Sequence, residues 1–165
     1  MNRAPRWLAI IGLLLVLCAA NYTILQRQQV VDDGQPLLLQ LRPVDPRSLM
    51  QGDYMELRYA DALFPANVIR KTLSPRGAFI VTVDENNVAA YSHIDQGAAL
   101  AANEKRLKYK QVDESGQIRI GAESFFFEEG QAGKFEPARF GVLHVDAAGN
   151  SVLVGLADEN HQLIE

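Results

Sequence analysis

The chain has 165 residues, with 16 Lys and Arg against 20 Asp and Glu, a formal net charge of −4, and one cysteine, Cys18. A lone cysteine excludes an internal disulfide and a zinc site built from cysteine. With Arg3 and Arg6 set aside, 14 basic residues face 20 acidic ones, about −6, a balance that disfavours nucleic acid and anionic lipid as ligands because both need clustered positive charge.

Residues Trp7 to Ala20 form an unbroken apolar run, WLAIIGLLLVLCAA, preceded by Arg3 and Arg6. As helix these residues cover about 21 Å, short of the roughly 30 Å hydrocarbon core of a bilayer. Continuing through Asn21–Leu25 brings the helix to about 28 Å, with Trp7 and Tyr22 near opposite interfaces, where amphipathic rings are favoured. The basic flank is predicted to stay in the cytoplasm, which in a bacterium with two membranes puts the rest of the chain in the periplasm. A cleaved signal peptide ending at the small pair Ala19-Ala20 is the competing reading. A lipoprotein signal at Cys18 is a third, opposed by bulky Leu17. The predicted organisation is a cytoplasmic stub and transmembrane anchor over 1–25, a polar tether over 26–35, and a single periplasmic β domain over 36–165.

From Pro36 onward the dominant period is two. Phe79–Val83, Arg106–Lys110, Gln117–Ile120 and Ser151–Val154 are alternating, β-branched or aromatic runs of strand length. Asp84–Asn87, Asp113–Gly116 and Asp146–Asn150 punctuate them, each with Asp opening a turn and Asn or Gly near its end to supply a positive φ. Three antiparallel hairpins follow. A helix is predicted near Asp61–Leu73, where Pro65 suits the first turn and Val68, Ile69 and Leu73 share a face; a short turn is expected between Gln131 and Arg139. The fold class is therefore mostly β: one N-terminal transmembrane helix, then an antiparallel β-barrel or sandwich-like domain of about eight strands with one or two short helices, closed so as to hide its sheet edges.

Asp45-Pro46 reads as a helix start, with one helical turn over Pro46–Met50. Gly52-Asp53 is a turn signal leading into a strand. Along that strand Met55, Leu57 and Tyr59 share one face, which makes Leu57 and Tyr59 core candidates, and Tyr54, Glu56 and Arg58 share the other. Tyr54 either packs under the Asp45–Gln51 loop or anchors a partner, beside a Glu56/Arg58 surface pair. Phe125-Phe126-Phe127 puts at least one ring on each face of a strand. Burial of both faces is the simpler expectation, and an exposed ring serving as a docking patch is the alternative.

Catalytic signatures are weak. The stretch Ser48–Asp53 has a passing likeness to membrane-anchored signal peptidases, yet aligning Leu49 and Gly52-Asp53 puts Val44 where the nucleophile belongs. A Ser/Lys dyad needs a desolvated lysine, and Lys71, Lys105, Lys108 and Lys110 all sit in polar or alternating contexts. His93, His144 and His161 are scattered, with His144 expected on the solvent face of a strand. Glu128, Glu129 and Glu136 lie in a loop marked by Gly130 and Gly133. No phosphate-binding loop or dinucleotide fingerprint is present, and no cofactor, metal or catalytic residue is assigned.

The segment Gly52–Tyr59, GDYMELRY, resembles the signature of the GDYXXLXY proteins at Gly52, Asp53, Tyr54, Leu57 and Tyr59. The lead-in Arg42–Leu49 and the later segments Phe125–Gly130 and Ala138–Asp146 are similar to that family too. The resemblance implies a bacterial, membrane-anchored protein and an association with a multi-span membrane protein; it supplies no catalytic residues. The resulting expectation is an anchored periplasmic accessory domain that acts by binding, with Tyr54 and Phe126 as candidate partner contacts. Its rivals are a cell-envelope hydrolase using Ser48 or a carboxylate pair, and a secreted periplasmic ligand-binding protein released after Ala20.

Overall fold

The apolar run and the polar segment after it form one helix, α1, over Ala4–Asp33. The computed structural model describes residues 4–42, 54–60, 63, 73–112 and 118–164. Trp7–Asp33 is long and apolar enough to cross a membrane. Every residue from Trp7 to Gln29 is exposed, so none of the described residues covers the apolar stretch, as a lipid-facing helix requires. The segment 26–35 is helical as far as Asp33, and Gly34 alone separates α1 from the first strand, β1 (Gln35–Gln40). A Cβ on Gly34 would lie 2.2 Å from the Val30 carbonyl oxygen and 2.9 Å from His144 Cβ. Only glycine allows the chain to turn there.

The remaining described strands are β2 (Tyr54–Glu56), β3 (Arg76–Val83), β4 (Ala89–Ile94), β5 (Glu104–Gln111), β6 (Ile118–Arg119), β7 (Ser124–Phe126), β8 (Phe140–Val145) and β9 (Ser151–Ala157). They form a three-stranded sheet in the order β1-β8-β9, a ribbon β2-β7, and a four-stranded sheet β4-β3-β5-β6. All strand pairs are antiparallel. The β3–β4, β5–β6 and β8–β9 hairpins are the three that the Asp-led turns predicted. The sheets pack as a sandwich and do not close into a barrel. A parallel bridge between Leu38 and Val88 stitches the two larger sheets at one edge. The helix expected over Asp61–Leu73 lies outside the described residues except at Leu63 and Leu73, as does the turn at Pro46–Met50. The short turn after Gln131 is a 3₁₀ turn, Ala132–Phe135, which buries Phe135.

Between the two larger sheets, Phe79, Val81, Leu107 and Tyr109 face Leu37, Leu39, Leu143, Val145 and Leu156. Phe79 stacks on Tyr109 at 4.4 Å between ring centroids and meets Tyr91 edge-on at 5.6 Å. Alternation decides which side chains these are, because successive residues of a strand point to opposite faces. Met55, Leu57 and Tyr59 are buried and Tyr54, Glu56 and Arg58 exposed; Glu56 and Arg58 pair at 3.6 Å in the open.

Asp84 and Asp146 cap their own turns, while Asp113 lies outside the described residues. Asp84 Oδ1 accepts from the Asn86 and Val88 amides, and Asp146 accepts from the Asn150 amide and side chain. Asn87 and Gly149 supply the positive φ values, 62° and 85°. Gly149 also has no room for a side chain, since a Cβ would lie 2.8 Å from Arg106 Cγ. A further turn of this chemistry, at Asp158, lacks a strand-length run after it and leaves no such mark in the sequence; its carboxylate accepts from Asn160 and Gln162.

His144 departs from expectation. It is half-buried, with Nδ1–H donating to the Val31 carbonyl at 2.6 Å. The outer face of β8 at this point is covered by the end of α1, where Val30 is buried and Arg27 Nη1 donates to the Ser151 carbonyl at 3.3 Å. A lone alternating strand cannot reveal that a helix returns over its polar face.

Leu57→Ala is expected to destabilise the domain by about 2 to 5 kcal/mol, the usual range for an emptied core leucine site, whereas Glu56→Ala should stay within about 0.5 kcal/mol. Equal shifts in denaturant midpoint for the two variants would contradict the buried face of this strand.

Acid should also destabilise the fold. Asp95 is held below the usual carboxylate range by the Arg106 hydrogen bond, then by the Gly97 amide. Asp158 is lowered chiefly by the Gln162 amide, and at Asp146 burial pushes upward but hydrogen bonds from Asn150 outweigh it. Folded values below the unfolded value of about 3.9 mean stabilisation that is complete at neutral pH and lost as pH falls through the folded values. The thermal midpoint should hold steady from about pH 8 to about pH 5 and drop below about pH 4. Asp95→Asn should reduce that drop.

Candidate functional site

The GDYMELRY strand lies between two neighbours. On one side the Arg42 amide donates to the Arg58 carbonyl and the Ala60 amide to the Gln40 carbonyl, so the motif pairs with the continuation of β1. On the other side β2 pairs with β7, and the Leu57 amide donates to the Glu123 carbonyl. The described part of the motif therefore joins the ribbon to the three-stranded sheet.

Tyr59 is the inward end of this strand. Its ring is buried and its hydroxyl donates to the Ala122 carbonyl. Burial, and then the charge of Glu123, drive its phenol far above the usual range, which favours the neutral, donating form of Tyr59. Arg42 Nε donates to the Tyr59 carbonyl at 3.0 Å. Leu57 and Tyr59 thus account for two motif positions by burial. Gly52 and Asp53 lie outside the described residues, as do Val44, Ser48 and Lys71.

Tyr54 is the described motif position that faces out. Antiparallel register puts it directly opposite Phe126, with Met55 opposite Phe125. The Tyr54 and Phe126 rings lie 5.7 Å apart, inclined by 38°. Phe126 is 73% exposed and Tyr54 40%. Phe125 and Phe127 turn the other way and pack on Phe135 at 5.0 and 5.4 Å. Burial of all three phenylalanines therefore fails at Phe126, because the 3₁₀ turn covers one face of β7 only. The two residues singled out as partner contacts, more than seventy positions apart, form one aromatic pair. A cross-strand pair of this kind stabilises a ribbon by about 0.2 to 1 kcal/mol. It still leaves most of the Phe126 ring in water.

The other chemical candidates among the described residues do not converge. Among the described residues, no three His, Cys, Asp or Glu side chains are grouped to hold a metal ion. Lys105 has its ammonium pKa lowered by burial, but its Nζ donates to the Pro36 carbonyl at 2.9 Å. His93 Nδ1 lies 3.0 Å from Ser92 Oγ, while nearby Asp95 is committed to Arg106 at 2.5 Å. Glu128, Glu129 and Glu136 are all exposed, and Glu128 accepts from Gln131 at 2.8 Å.

One surface feature has no motif of its own in the sequence. A groove of about 1160 Å³ runs between the last turns of α1 and the outer face of β5 and β6, lined by Arg27, Arg76, Lys108, Lys110 and Arg119 as well as Asp33, Glu123 and Asp146. Its signal was the Asp113–Gly116 turn, whose centre puts residue 119 opposite residue 110 once the hairpin is closed.

A family model described as GDYXXLXY protein matches residues 16–156, most of the chain. No curated protein and no solved structure matches.

Tyr59→Phe is expected to lower stability by about 1 to 3 kcal/mol, the cost of leaving the buried Ala122 carbonyl without its donor. A denaturant midpoint unchanged from the parent chain would show that another donor satisfies that carbonyl.

Proposed function

The chain belongs to the GDYXXLXY protein family, and from that premise we propose that it is an anchored accessory domain of the bacterial inner membrane, held on the periplasmic side, which acts by docking to a multi-span membrane protein and catalyses no reaction. The exposed Tyr54–Phe126 pair carries this reading. Aromatic rings that stay in water on the face away from the core are the residue types that dominate binding interfaces, since they bury a large area at little loss of side-chain freedom.

The topology supports the same reading. Arg3 and Arg6 precede the apolar run, which keeps the N-terminus cytoplasmic and sends the C-terminal domain across. An anchor confines the domain to the plane of one membrane, where a multi-span partner is within reach at high effective concentration. Helix α1 meets the domain through Val30, Arg27 and Val31, so the domain is presented at a set orientation to such a partner.

Affinity capture of the full chain from detergent-solubilised membranes tests the proposal. Tyr54→Ala should reduce recovery of the membrane partner by roughly 30-fold, the equivalent of a hot spot of about 2 kcal/mol, with the domain still folded. Ser48→Ala should leave the in-cell phenotype intact. Dispensable Tyr54 together with loss of function on removing the Ser48 hydroxyl would replace docking by hydrolysis. Fractionation should recover full-length chain from the inner membrane by detergent and not by salt; a mature form beginning at Asn21 in the periplasmic fluid would make it a secreted binding protein.

A further inference from the structure

Three cations stand in one row across three neighbouring strands. Register puts Arg76 of β3 directly opposite Lys110 of β5, and Lys110 directly opposite Arg119 of β6. Lys108, two residues along β5, points from the same face. All four side chains are exposed. Like charges directly opposite one another destabilise a sheet, and this row has no internal remedy: among the described residues the ion pairs are Glu56–Arg58 and Arg106–Asp95, neither of which includes Arg76, Lys110 or Arg119.

These cations line the groove described above, with Arg27 on the α1 wall. Five cations face three carboxylates there, an excess of two positive charges in a chain whose net charge is −4. Two of the carboxylates are engaged in their own turns. Glu123 Oε1 accepts from the Ile120 and Gly121 amides at 2.5 and 3.1 Å, and Asp146 accepts from the Asn150 amide and side chain at 2.8 and 2.6 Å. Asp33 is the third, at the end of α1.

Height above the membrane identifies the occupant. The α1 wall of the groove runs from Thr23 to Asp33, beginning where the apolar stretch ends at Leu25. At 1.5 Å per residue Asp33 stands about 12 Å beyond Leu25. The headgroup layer on each side of a bilayer is about 5 to 8 Å deep, and the screening length is about 8 Å at physiological ionic strength. With the hydrocarbon boundary at Leu25 and α1 upright, the lower part of the groove falls at the depth of the lipid phosphates and its upper part within range of their field. We propose that this groove seats the phosphate of an anionic phospholipid headgroup from the bilayer that α1 enters, bound across Arg76, Lys110 and Arg119. The inference rests on α1 remaining in the membrane. A phosphate in the row removes the like-charge repulsion, which couples headgroup binding to stability and holds the domain close against the bilayer surface.

The full chain in nonionic micelles doped with phosphatidylglycerol or with phosphatidylcholine tests this, read by thermal midpoint and by lipid retained in intact-complex mass spectrometry. Phosphatidylglycerol should raise the midpoint and be retained, and phosphatidylcholine should do neither. The variant carrying Arg76→Gln, Lys110→Gln and Arg119→Gln should lose both responses, yet unfold at a higher temperature than the parent in lipid-free micelles because the repulsion is gone. If the triple variant fails to fold, Lys110→Gln at the centre of the row gives the same comparison, and Lys134→Gln, outside the groove, should change nothing. Equal response to both lipids, or a variant that still retains phosphatidylglycerol, overturns the site. Soluble glycerol phosphate matching the lipid's effect also overturns it, by making the ligand a free anion. A form starting at Asn21 defeats the anchor and the lipid site together, and is seen by fractionation. Loss of lipid discrimination in the intact chain defeats the lipid site alone.

Discussion

The hydrogen bond from the buried Tyr59 hydroxyl to the Ala122 carbonyl ties the motif strand to the backbone that leads into β7. Tyr59 ends the strand that pairs with β1 on one side and with the β7 region on the other, and its ring reaches across the core to the backbone just before β7. A phenol at that depth must have an acceptor, because an unpaired buried hydroxyl costs several kcal/mol. Among the described residues no buried side-chain polar atom lacks a partner. The inward motif positions Leu57 and Tyr59 are thus structural, and with them turned inward the alternating Tyr54 faces out, where register sets it opposite Phe126.

The junction between helix and sheet has a comparable role at the other end. Gly34 lets α1 turn directly into β1, and His144, Arg27 and buried Val30 seat the helix on β8 and β9. The last turns of α1 serve as one wall of the cationic groove. A longer flexible connection would leave that wall unplaced, since loose linkers do not fix the orientation of what they join.

Charge shows how little composition says about a surface. The chain is acidic overall, with a formal net charge of −4, yet cations from β3, β5 and β6 meet in one row. Net charge governs solubility and long-range repulsion. Local potential depends on which residues face one another, and in a sheet that is a matter of register.

The periods and punctuation in the sequence were enough for the membrane-length helix, the mostly β class, the three hairpins, and the inward set Met55, Leu57 and Tyr59. These are local properties: a side chain's face follows from alternation, and an Asp-led turn is closed by hydrogen bonds to amides a few residues away. The solvent-face expectation for His144 failed because a helix more than a hundred residues earlier in the chain returns to cover it. Full burial of Phe125–Phe127 failed because the 3₁₀ turn at Phe135 covers one face only. The meeting of Tyr54 with Phe126, the pairing of Arg76 with Lys110 and the groove under α1 join segments remote in the chain. No local pattern encodes such pairings; they arise when strands choose partners and register, and that choice is made by the packing of the whole core.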